Sequence, residues 1–288
     1  MRVADVAVVG GGPAGAAAAI TLARAGRSVV LVDKARFPRD KCCGDGLTTG
    51  ALRRLQALGL RPEAVPSWHV VDDVHVRGPA GHEVTFPLPR DGGVFAAVAR
   101  RVDLDAALLD VVRDAGVEVF DGHALHAATW RPERDAVELE VEGLGTVAAR
   151  YAVGADGVWS PLRKALGGAG EPGYLGEWHA FRQYFTGVGP AASSQLWVWF
   201  EPDLLPGYAW SFPLGPGRAN VGFGIQRTAG VSTRVMKQQW VDLLSRAHVR
   251  ATLGQRAVAE APHKAWPIPA RLDRSVLSAA GGRALFVG

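Results

Sequence analysis

The chain opens with an apolar run that leads directly into the glycine motif Gly10-x-Gly12-x-x-Gly15. A stretch of small residues follows, from Ala16 to Ala25, and a second apolar run then ends at Asp33. This order predicts a strand, a tight glycine turn, a helix, a second strand and a carboxylate. Gly10 permits the turn, Gly12 lets the backbone approach a pyrophosphate, and Gly15 lets the helix pack on the strand.

The same stretch predicts a dinucleotide site. The N-terminus of the helix offers N–H groups and a partial positive charge to phosphates. Asp33 lies 18 residues after Gly15, where a ribose-binding acid is expected. The motif alone serves FAD or NAD equally well. A glycine-rich turn without any ligand is the competing interpretation, and the complete strand–turn–helix–acid order argues against it.

Composition excludes several classes of protein. With 288 residues, 48% hydrophobic and 21% charged, the chain can bury a large core. A net charge of +4 with scattered arginines and no basic tract disfavours nucleic-acid binding. The two cysteines are adjacent, which indicates a reducing compartment and hence a cytoplasmic protein. We expect no membrane-spanning helix and no signal peptide, and the histidines show no metal-ligand spacing.

The remaining chain divides into two patterns. Alternation over Val70–Val76 and a return over Glu83–Phe86 predict a hairpin. Asp103 is expected to cap a helix that runs to Ala115. After about residue 171, tryptophan-rich runs broken by proline and glycine predict an antiparallel sheet with one helix over 233–247.

A second motif, Gly154-Ala-Asp156-Gly157, ends an apolar run and precedes a helix that Ser160 can cap. A plain strand–turn–helix is the alternative interpretation. Beside the first glycine motif, this block resembles the Asp-Gly motif of the flavoprotein hydroxylase superfamily, which contacts the flavin side of the cofactor. Arg100 resembles the FAD-contacting arginine of that superfamily, with Arg101 the less favoured of the pair; a solvated charge at a helix start is the other interpretation.

A third feature narrows the family. Lys41-Cys-Cys43-Gly44-Asp45-Gly46 resembles a cysteine–glycine stretch of geranylgeranyl-reductase-like flavoproteins. The run from Tyr208 to Pro213 resembles their Y-x-W-x-F-P motif, which lines the pocket for an isoprenoid chain. Period-two spacing sends Tyr208, Trp210 and Phe212 to one face of a strand. They form either a pocket wall or ordinary core between layers.

The resemblance implies an α/β fold in which an FAD-binding, Rossmann-like domain of the glutathione-reductase type is interleaved with an antiparallel β-sheet substrate domain. The expected FAD-binding domain comprises residues 1–65, 96–168 and 276–288, and the substrate domain residues 66–95 and 169–275. The expected cofactor-binding residues are Gly10, Gly12, Pro13, Ala14, Gly15, Asp33, Lys34, Cys43, Gly44, Asp45, Gly46, Arg100, Asp156 and Gly157. The expected substrate-binding residues are Tyr208, Trp210 and Phe212.

The implied activity is FAD-dependent reduction of C=C bonds in an isoprenoid, such as a geranylgeranyl lipid or a menaquinone side chain, with NAD(P)H as electron donor and peripheral contact with a membrane. No catalytic side chain and no oligomeric state is assigned. An oxygen-using class A monooxygenase or a halogenase is the runner-up. The superfamily normally continues after a strand like Leu285–Val287 with an Asp that binds the flavin, so we expect a C-terminally truncated chain. A truncated remnant unable to hold flavin is the non-enzyme alternative.

Overall fold

The computed structural model describes residues 1–91, 93–168, 176–227, 233–271 and 276–288. Within these ranges the chain forms two large sheets and one small sheet, with helices packed against them.

The strands, numbered in chain order, are Arg2–Val9 (β1), Val29–Asp33 (β2), Gly46–Thr48 (β3), His69–Val70 (β4), Asp73–Arg77 (β5), Glu83–Pro87 (β6), Ala96–Val98 (β7), Glu118–Asp121 (β8), Leu125–Arg131 (β9), Ala136–Val141 (β10), Gly145–Gly154 (β11), Trp178–Thr186 (β12), Leu196–Trp199 (β13), Tyr208–Pro213 (β14), Arg218–Gln226 (β15), Val258–Ala259 (β16), Lys264–Ile268 (β17), Ser278–Ala279 (β18) and Ala284–Phe286 (β19). The α-helices are Pro13–Arg24 (α1), Thr49–Leu58 (α2), Arg101–Asp114 (α3), Pro161–Ala165 (α4), Pro190–Ser194 (α5), Thr233–Ser245 (α6) and Ala247–Leu253 (α7).

The first large sheet has the strand order β18-β19-β11-β1-β2-β8, and β10 and β9 extend it from β11. β1 lies between β2 and β11 and is parallel to both, β8 is parallel to β2, and β19 is parallel to β11, while the edge strand β18 is antiparallel to β19. The two central strands are apolar from Val6 to Val9 and from Val29 to Val32 because both of their faces are covered there; Val8 and Leu31 are fully buried. This is the expected Rossmann-like arrangement.

The parallel strands bring their carboxyl ends to one edge of this sheet. Gly10 follows β1, Asp33 ends β2, and Gly154 ends β11. After β19 the chain reaches Gly288, where a Cβ would lie 2.9 Å from the Cβ of Ala14 at the start of α1. In open parallel sheets this edge is where ligands bind.

The second large sheet has the order β16-β12-β15-β14-β13-β5-β6, and β17 also pairs with β12. All its pairs are antiparallel except β13 with β5. One face of this sheet packs against α6 and α7 through stacked aromatic rings. The ring centroids of Phe181 and Phe223 are separated by 5.3 Å, and those of Phe223 and Trp240 by 6.0 Å. The expected antiparallel sheet is therefore present, and the α/β fold class is confirmed.

The single strand expected over Val70–Val76 is wrong. The structure divides it into β4, which pairs with β7 in a small sheet with β3, and β5, which pairs with β6 in the second large sheet. Val71 between them is buried. Apolar alternation continues across the break, from Val70 in β4 to Val74 and Val76 in β5, so periodicity cannot detect that the two halves join different sheets.

Two helix expectations also need correction. α3 begins at Arg101 with Arg100 as its N-cap, so Asp103 lies in the first turn and does not cap the helix. A carboxylate there still interacts favourably with the helix dipole. The helix expected over 233–247 is two helices, because the chain leaves helical geometry at Arg246, the N-cap of α7.

The expected division into two interleaved domains stays a prediction. Residues 66–95 contribute β4 to the small sheet and β5 and β6 to the second large sheet. The boundaries placed at residues 169 and 275 lie outside the described residues.

Candidate cofactor and substrate site

The glycine turn between β1 and α1 is closed by backbone packing. Gly10 has a φ of 106°, which favours glycine. A Cβ on Gly10 would lie 2.3 Å from the carbonyl oxygen of Ala155, and a Cβ on Gly15 would lie 1.8 Å from the carbonyl oxygen of Gly10. Both positions need glycine because backbone occupies the space of a side chain.

Gly12 lies in a different environment. It is the N-cap of α1, followed by Pro13, which has no N–H to leave unpaired. A Cβ on Gly12 would meet only the guanidinium ends of Arg39 and Arg101, at 3.6 and 3.7 Å from their Nη2 atoms. The helix N-terminus is thus open to a ligand and faced by two cations, which suits a phosphate.

A buried carboxylate holds these two arginines. Asp105 on α3 is fully buried and accepts hydrogen bonds from Arg39 Nη1 at 2.7 Å and from Arg101 Nε and Nη2 at 2.7 and 2.8 Å. Burial opposes the charge of Arg101, but the bond and charge of Asp105 outweigh it and raise the pKa of the guanidinium. Arg101 therefore stays charged and pre-oriented at the glycine turn.

Lys41 adds a third positive charge to this group. Its ammonium lies 3.6 Å from the ring centroid of Trp266. Burial, and then the positive charges of Arg39 and Arg101, lower the pKa of Lys41. An anion bound among these three cations would relieve their mutual repulsion.

Asp33 fixes the turn from the end of β2. Its Oδ2 accepts the N–H of Gly11 at 2.6 Å and its Oδ1 accepts the N–H of Ala35 at 2.8 Å. Each oxygen retains a second lone pair for a hydroxyl donor. The neighbouring Lys34 is exposed at the same edge of the sheet. A ribose contact by Asp33 stays a prediction, compatible with this geometry.

The Asp156–Gly157 turn lies directly against the first glycine turn, since the N–H of Ala155 donates to the carbonyl of Val9 at 2.7 Å. Asp156 accepts the N–H of Leu162 at 3.0 Å and so caps α4 from outside. Gly157 is exposed with a φ of 80°. The structure thus brings the two motifs together at the carboxyl edge of the first sheet.

Arg100 and Arg101 point to different places. The N–H of Arg100 donates to Ser67 Oγ at 3.0 Å, and its guanidinium lies 5.2 Å from the ring centroid of Tyr184. Within the described residues its Nε is buried without a hydrogen-bond partner. Arg101, the less favoured of the pair on sequence, is the arginine that reaches Gly12. Its spacing of four residues from Asp105 is the sequence signal that identifies it.

The Lys41–Gly46 loop is held through the buried side chain of Asp45. Its Oδ2 accepts the Tyr184 hydroxyl at 2.7 Å and the Asn220 amide at 2.8 Å, and its Oδ1 accepts the backbone N–H of Arg101 at 3.3 Å. Burial raises the pKa of Asp45 to about 6, although the bonds from Tyr184 and Asn220 oppose this rise.

Two further side chains hold the loop backbone. Arg182 donates to the carbonyls of Cys43 at 3.2 Å and Lys41 at 3.1 Å and pairs with Asp40 at 2.9 Å. Asn220 donates to the same Cys43 carbonyl at 2.9 Å. The conformation of the loop is therefore fixed by residues of β12 and β15, far away in sequence.

The aromatic residues of β14 pack against this loop. The rings of Trp210 and Phe212 are 5.9 Å apart, and those of Tyr208 and Trp210 are 6.1 Å apart, so all three lie on one face as period-two spacing predicts. A Cβ on Gly44 would lie 3.4 Å from the Phe212 ring, and one on Gly46 would lie 3.0 Å from it. The two glycines let the loop backbone rest on the rings.

The three rings differ in exposure. Trp210 is buried, lies across Gly222 and donates its indole N–H to Asn220 Oδ1 at 3.1 Å. Phe212 is half-buried, while Tyr208 is exposed. Trp210 therefore serves as core for the sheet as well as support for the loop, and its role toward a substrate stays a prediction.

The adjacent thiols of Cys42 and Cys43 are half-buried and unpaired. Burial raises the pKa of the Cys42 thiol, which makes it a poor nucleophile at neutral pH. Among the described residues no cluster of His, Cys, Asp and Glu could hold a metal ion. None of the helices in the described ranges is long and apolar enough to cross a membrane.

The fold and the site define an FAD-binding protein, and comparison with known families agrees. Residues 3–263 match the model of the FAD binding domain family, so the chain belongs to that family. The fit is physical as well: the open Gly12 cradle, the three cations and the Asp33 lone pairs suit a dinucleotide pyrophosphate and ribose.

Individual relatives agree with the resemblance to geranylgeranyl reductases. The chain is 37% identical over 261 residues to a menaquinone reductase of Mycobacterium tuberculosis, covering 83% of this chain and 60% of that protein. It is 34% identical over 232 residues to digeranylgeranylglycerophospholipid reductase 1 of Methanopyrus kandleri, covering 77% of this chain and 58% of that protein. The chain thus spans about 60% of the length of these curated relatives.

A solved structure shows the same fold. It is a geranylgeranyl bacteriochlorophyll reductase-like protein from Thermoplasma acidophilum, with a TM-score of 0.80 and 20% sequence identity. The match covers 100% of this chain and 71% of that one.

Proposed function

We propose that this chain forms the cofactor site and part of the substrate site of an FAD-dependent oxidoreductase that reduces C=C bonds of an isoprenoid, either a menaquinone side chain or a geranylgeranyl lipid. The observation that carries the proposal is the position of the Lys41–Gly46 loop. One end of it joins the cations at the glycine turn, and its glycines rest on Trp210 and Phe212. The names of the relatives support the same reaction.

Particular residues would hold FAD. Arg39, Lys41 and Arg101 would neutralise the pyrophosphate above Gly12, and Asp33 would accept a ribose hydroxyl. A carboxylate at this place repels a 2′-phosphate, which disfavours NADP in the same fold. When bound, FAD supplies the two-electron chemistry that adds hydride to one alkene carbon while a proton goes to the other.

The chain itself supplies orientation and exclusion of water. The bonds to Asp45 from Tyr184 and Asn220 fix the loop, and the rings of Trp210 and Phe212 form an apolar surface beside it. We further propose NAD(P)H as the electron donor, and a cytoplasmic location with peripheral membrane contact, in keeping with a lipid substrate.

The test of the cofactor site is Gly12→Val. The new Cβ would meet only the guanidinium ends of Arg39 and Arg101 at ordinary contact distance, so the fold should survive while phosphate approach is blocked. We expect the dissociation constant for FAD, measured by flavin fluorescence, to rise by roughly tenfold or more. The matched control is Gly50→Ala, an open position in α2. Unchanged FAD affinity in Gly12→Val would refute the assignment.

The runner-up is an oxygen-using monooxygenase or halogenase. The halogenase pattern W-x-W-x-I-P is interrupted here because Glu201 occupies the isoleucine position. Glu201 is buried, accepts from His248 Nε2 at 2.8 Å and pairs with Arg246, so it anchors the start of α7. A structural ion pair thus replaces the expected apolar residue.

Product mass separates the two reactions. The protein is supplied with FAD, NAD(P)H and menaquinone, with and without oxygen. A gain of two hydrogens without oxygen supports the reductase, whereas oxygen-dependent incorporation of oxygen or halogen supports the runner-up. No flavin retention and no product would favour the non-enzyme alternative.

A further inference from the structure

The face of the second sheet that carries Trp210 continues as an apolar row across three more strands. Trp210 on β14 is opposite Val198 on β13, Val198 is opposite Val76 on β5, and Val76 is opposite Val84 on β6. Directly paired residues of neighbouring strands share a face. These four residues, called the apolar row below, therefore form one line from the Lys41–Gly46 loop to the edge strand of the sheet.

Contacts on the reverse side confirm this assignment of faces. His75, which alternates with the row on β5, stacks on Trp197 with ring centroids 4.6 Å apart and bonds Thr85 Oγ1 at 3.0 Å. The ion pair of Arg77 with Glu83 alternates with the row in the same way. The polar groups of β5 and β6 thus lie on the other face, and the row contains no charge.

Exposure along the apolar row increases toward the edge. Trp210 is 6% exposed, Val198 and Val76 are half-buried, and Val84 is 52% exposed. Phe86, two residues further along β6, is 53% exposed. β13 and β5 are inner strands, so their half-exposed valines indicate that the described residues leave this face partly uncovered. An apolar surface that continues from the candidate site and is partly uncovered suits an apolar ligand.

One side of the apolar row is bordered by packed residues. Phe212, Leu196 and Val74 occupy the adjacent line on the same strands and pack with the buried Val71 and Val98. The apolar row therefore lies at the edge of this packed cluster. A long ligand on the row would contact the sheet beneath it and the cluster beside it.

We propose that the apolar row binds the isoprenoid tail of the substrate and guides its remote end out of the protein at Val84 and Phe86. The inference rests on the proposed function. Three strand spacings of about 4.8 Å separate β14 from β6, a distance of about 14 Å. A geranylgeranyl tail extends beyond this distance, whereas a geranyl tail does not. The indole N–H of Trp210 is already donated to Asn220, so the row leaves no unpaired polar group against an apolar chain.

Photo-crosslinking tests this path directly. Geranylgeraniol and geraniol, each with a diazirine on the terminal isoprene unit, are irradiated with the FAD-supplemented protein, and the labelled peptides are identified by mass spectrometry. We expect the long probe to label the β5–β6 hairpin, residues Asp73–Pro87, and the short probe to label β14 and β13 only.

A matched pair of variants tests the contribution of the edge. Val84→Asp should reduce labelling of the hairpin by the long probe at least fivefold and leave labelling by the short probe unchanged. The control is the same substitution at another exposed edge valine, Val258→Asp. Val258 lies on β16, at the opposite end of the same sheet. Circular dichroism melts establish that both variants are folded.

The remaining outcomes separate failure of the apolar row from failure of the proposed function. Long-probe labelling confined to β14, or labelling unaffected by Val84→Asp, would show that the tail leaves elsewhere. A change in oligomeric state or vesicle binding in Val84→Asp with unchanged labelling would assign the surface to a second copy or a lipid bilayer instead. If product still forms in the mass assay above while the hairpin stays unlabelled, the row fails and the proposed function stands. Hairpin labelling without product leaves the row supported and the proposed function refuted.

Discussion

The glycine turn after β1 and the Lys41–Gly46 loop both place bare backbone beside the candidate cofactor site, but they are held in different ways. The turn is held by its own sterics, with Gly15 packed on Gly10 and Gly10 packed on Ala155. The loop is held by hydrogen bonds from Tyr184 and Asn220 on the second sheet. The site therefore combines a turn fixed by local steric contacts, called the steric lock below, with a loop fixed by hydrogen bonds from residues distant in sequence, called the polar clamp below.

This difference decides what substitutions do. A steric lock fails when any atom is added, whatever its polarity, since backbone cannot move aside cheaply. A polar clamp fails when a donor or a charge state changes, and its strength depends on pH. The two regions should therefore respond to different perturbations.

The largest expected effect is in the turn. In Gly15→Ala the new Cβ would lie 1.8 Å from the carbonyl oxygen of Gly10, so β1 and α1 must separate. We expect the free energy of unfolding, measured by urea denaturation, to fall by more than about 3 kcal/mol.

The control for this prediction is Gly50→Ala. Its Cβ would have only Thr48 Oγ1 nearby, at 4.0 Å, and it lies in α2, so alanine should stabilise the protein by up to about 1 kcal/mol. Equal responses in the two variants would mean that the turn is not sterically locked.

The steric lock is the part that sequence predicts well. Strand, turn, helix and acid follow within 33 residues, and each glycine has a local reason. Prediction failed where partner choice is not local. The alternation of Val70–Val76 does not reveal that β4 and β5 join different sheets, and no pattern indicates that Asp45 bonds residues 139 and 175 positions away.

The second prediction concerns the clamp. Burial raises the pKa of Asp45 from 3.8 to about 6. Below pH 3.8 the folded and unfolded chains both hold the proton. Between pH 3.8 and 6 only the unfolded chain releases it, so the free energy of unfolding falls as pH rises, by about 3 kcal/mol in total, and then levels off.

In Asp45→Asn the free energy of unfolding should not show this fall between pH 3.8 and 6. The difference in free energy of unfolding between the two proteins, from urea titrations at pH 4 to 7, isolates Asp45 from the other titrating groups. A difference that is flat across this range would mean that Asp45 titrates normally and that the clamp is not buried as described.

The smallest expected effect concerns the junction of the two regions, where Arg100 and Arg101 begin α3. Resemblance alone favoured Arg100 as the FAD contact, while the geometry places Arg101 at Gly12 and Arg100 against Tyr184. We expect Arg101→Gln to weaken FAD binding by about 2 kcal/mol, a rise of about 30-fold in the dissociation constant, since a charged hydrogen bond to phosphate is lost.

Arg100→Gln is the matched control, with a change in the dissociation constant of less than about threefold because the Arg100 guanidinium lies at the aromatic ring of Tyr184. Arg39 still pairs with Asp105 in Arg101→Gln, so the buried carboxylate keeps a partner and the fold should persist. The reverse ranking of the two variants would restore Arg100 as the cofactor contact and would assign Arg101 only to holding Asp105.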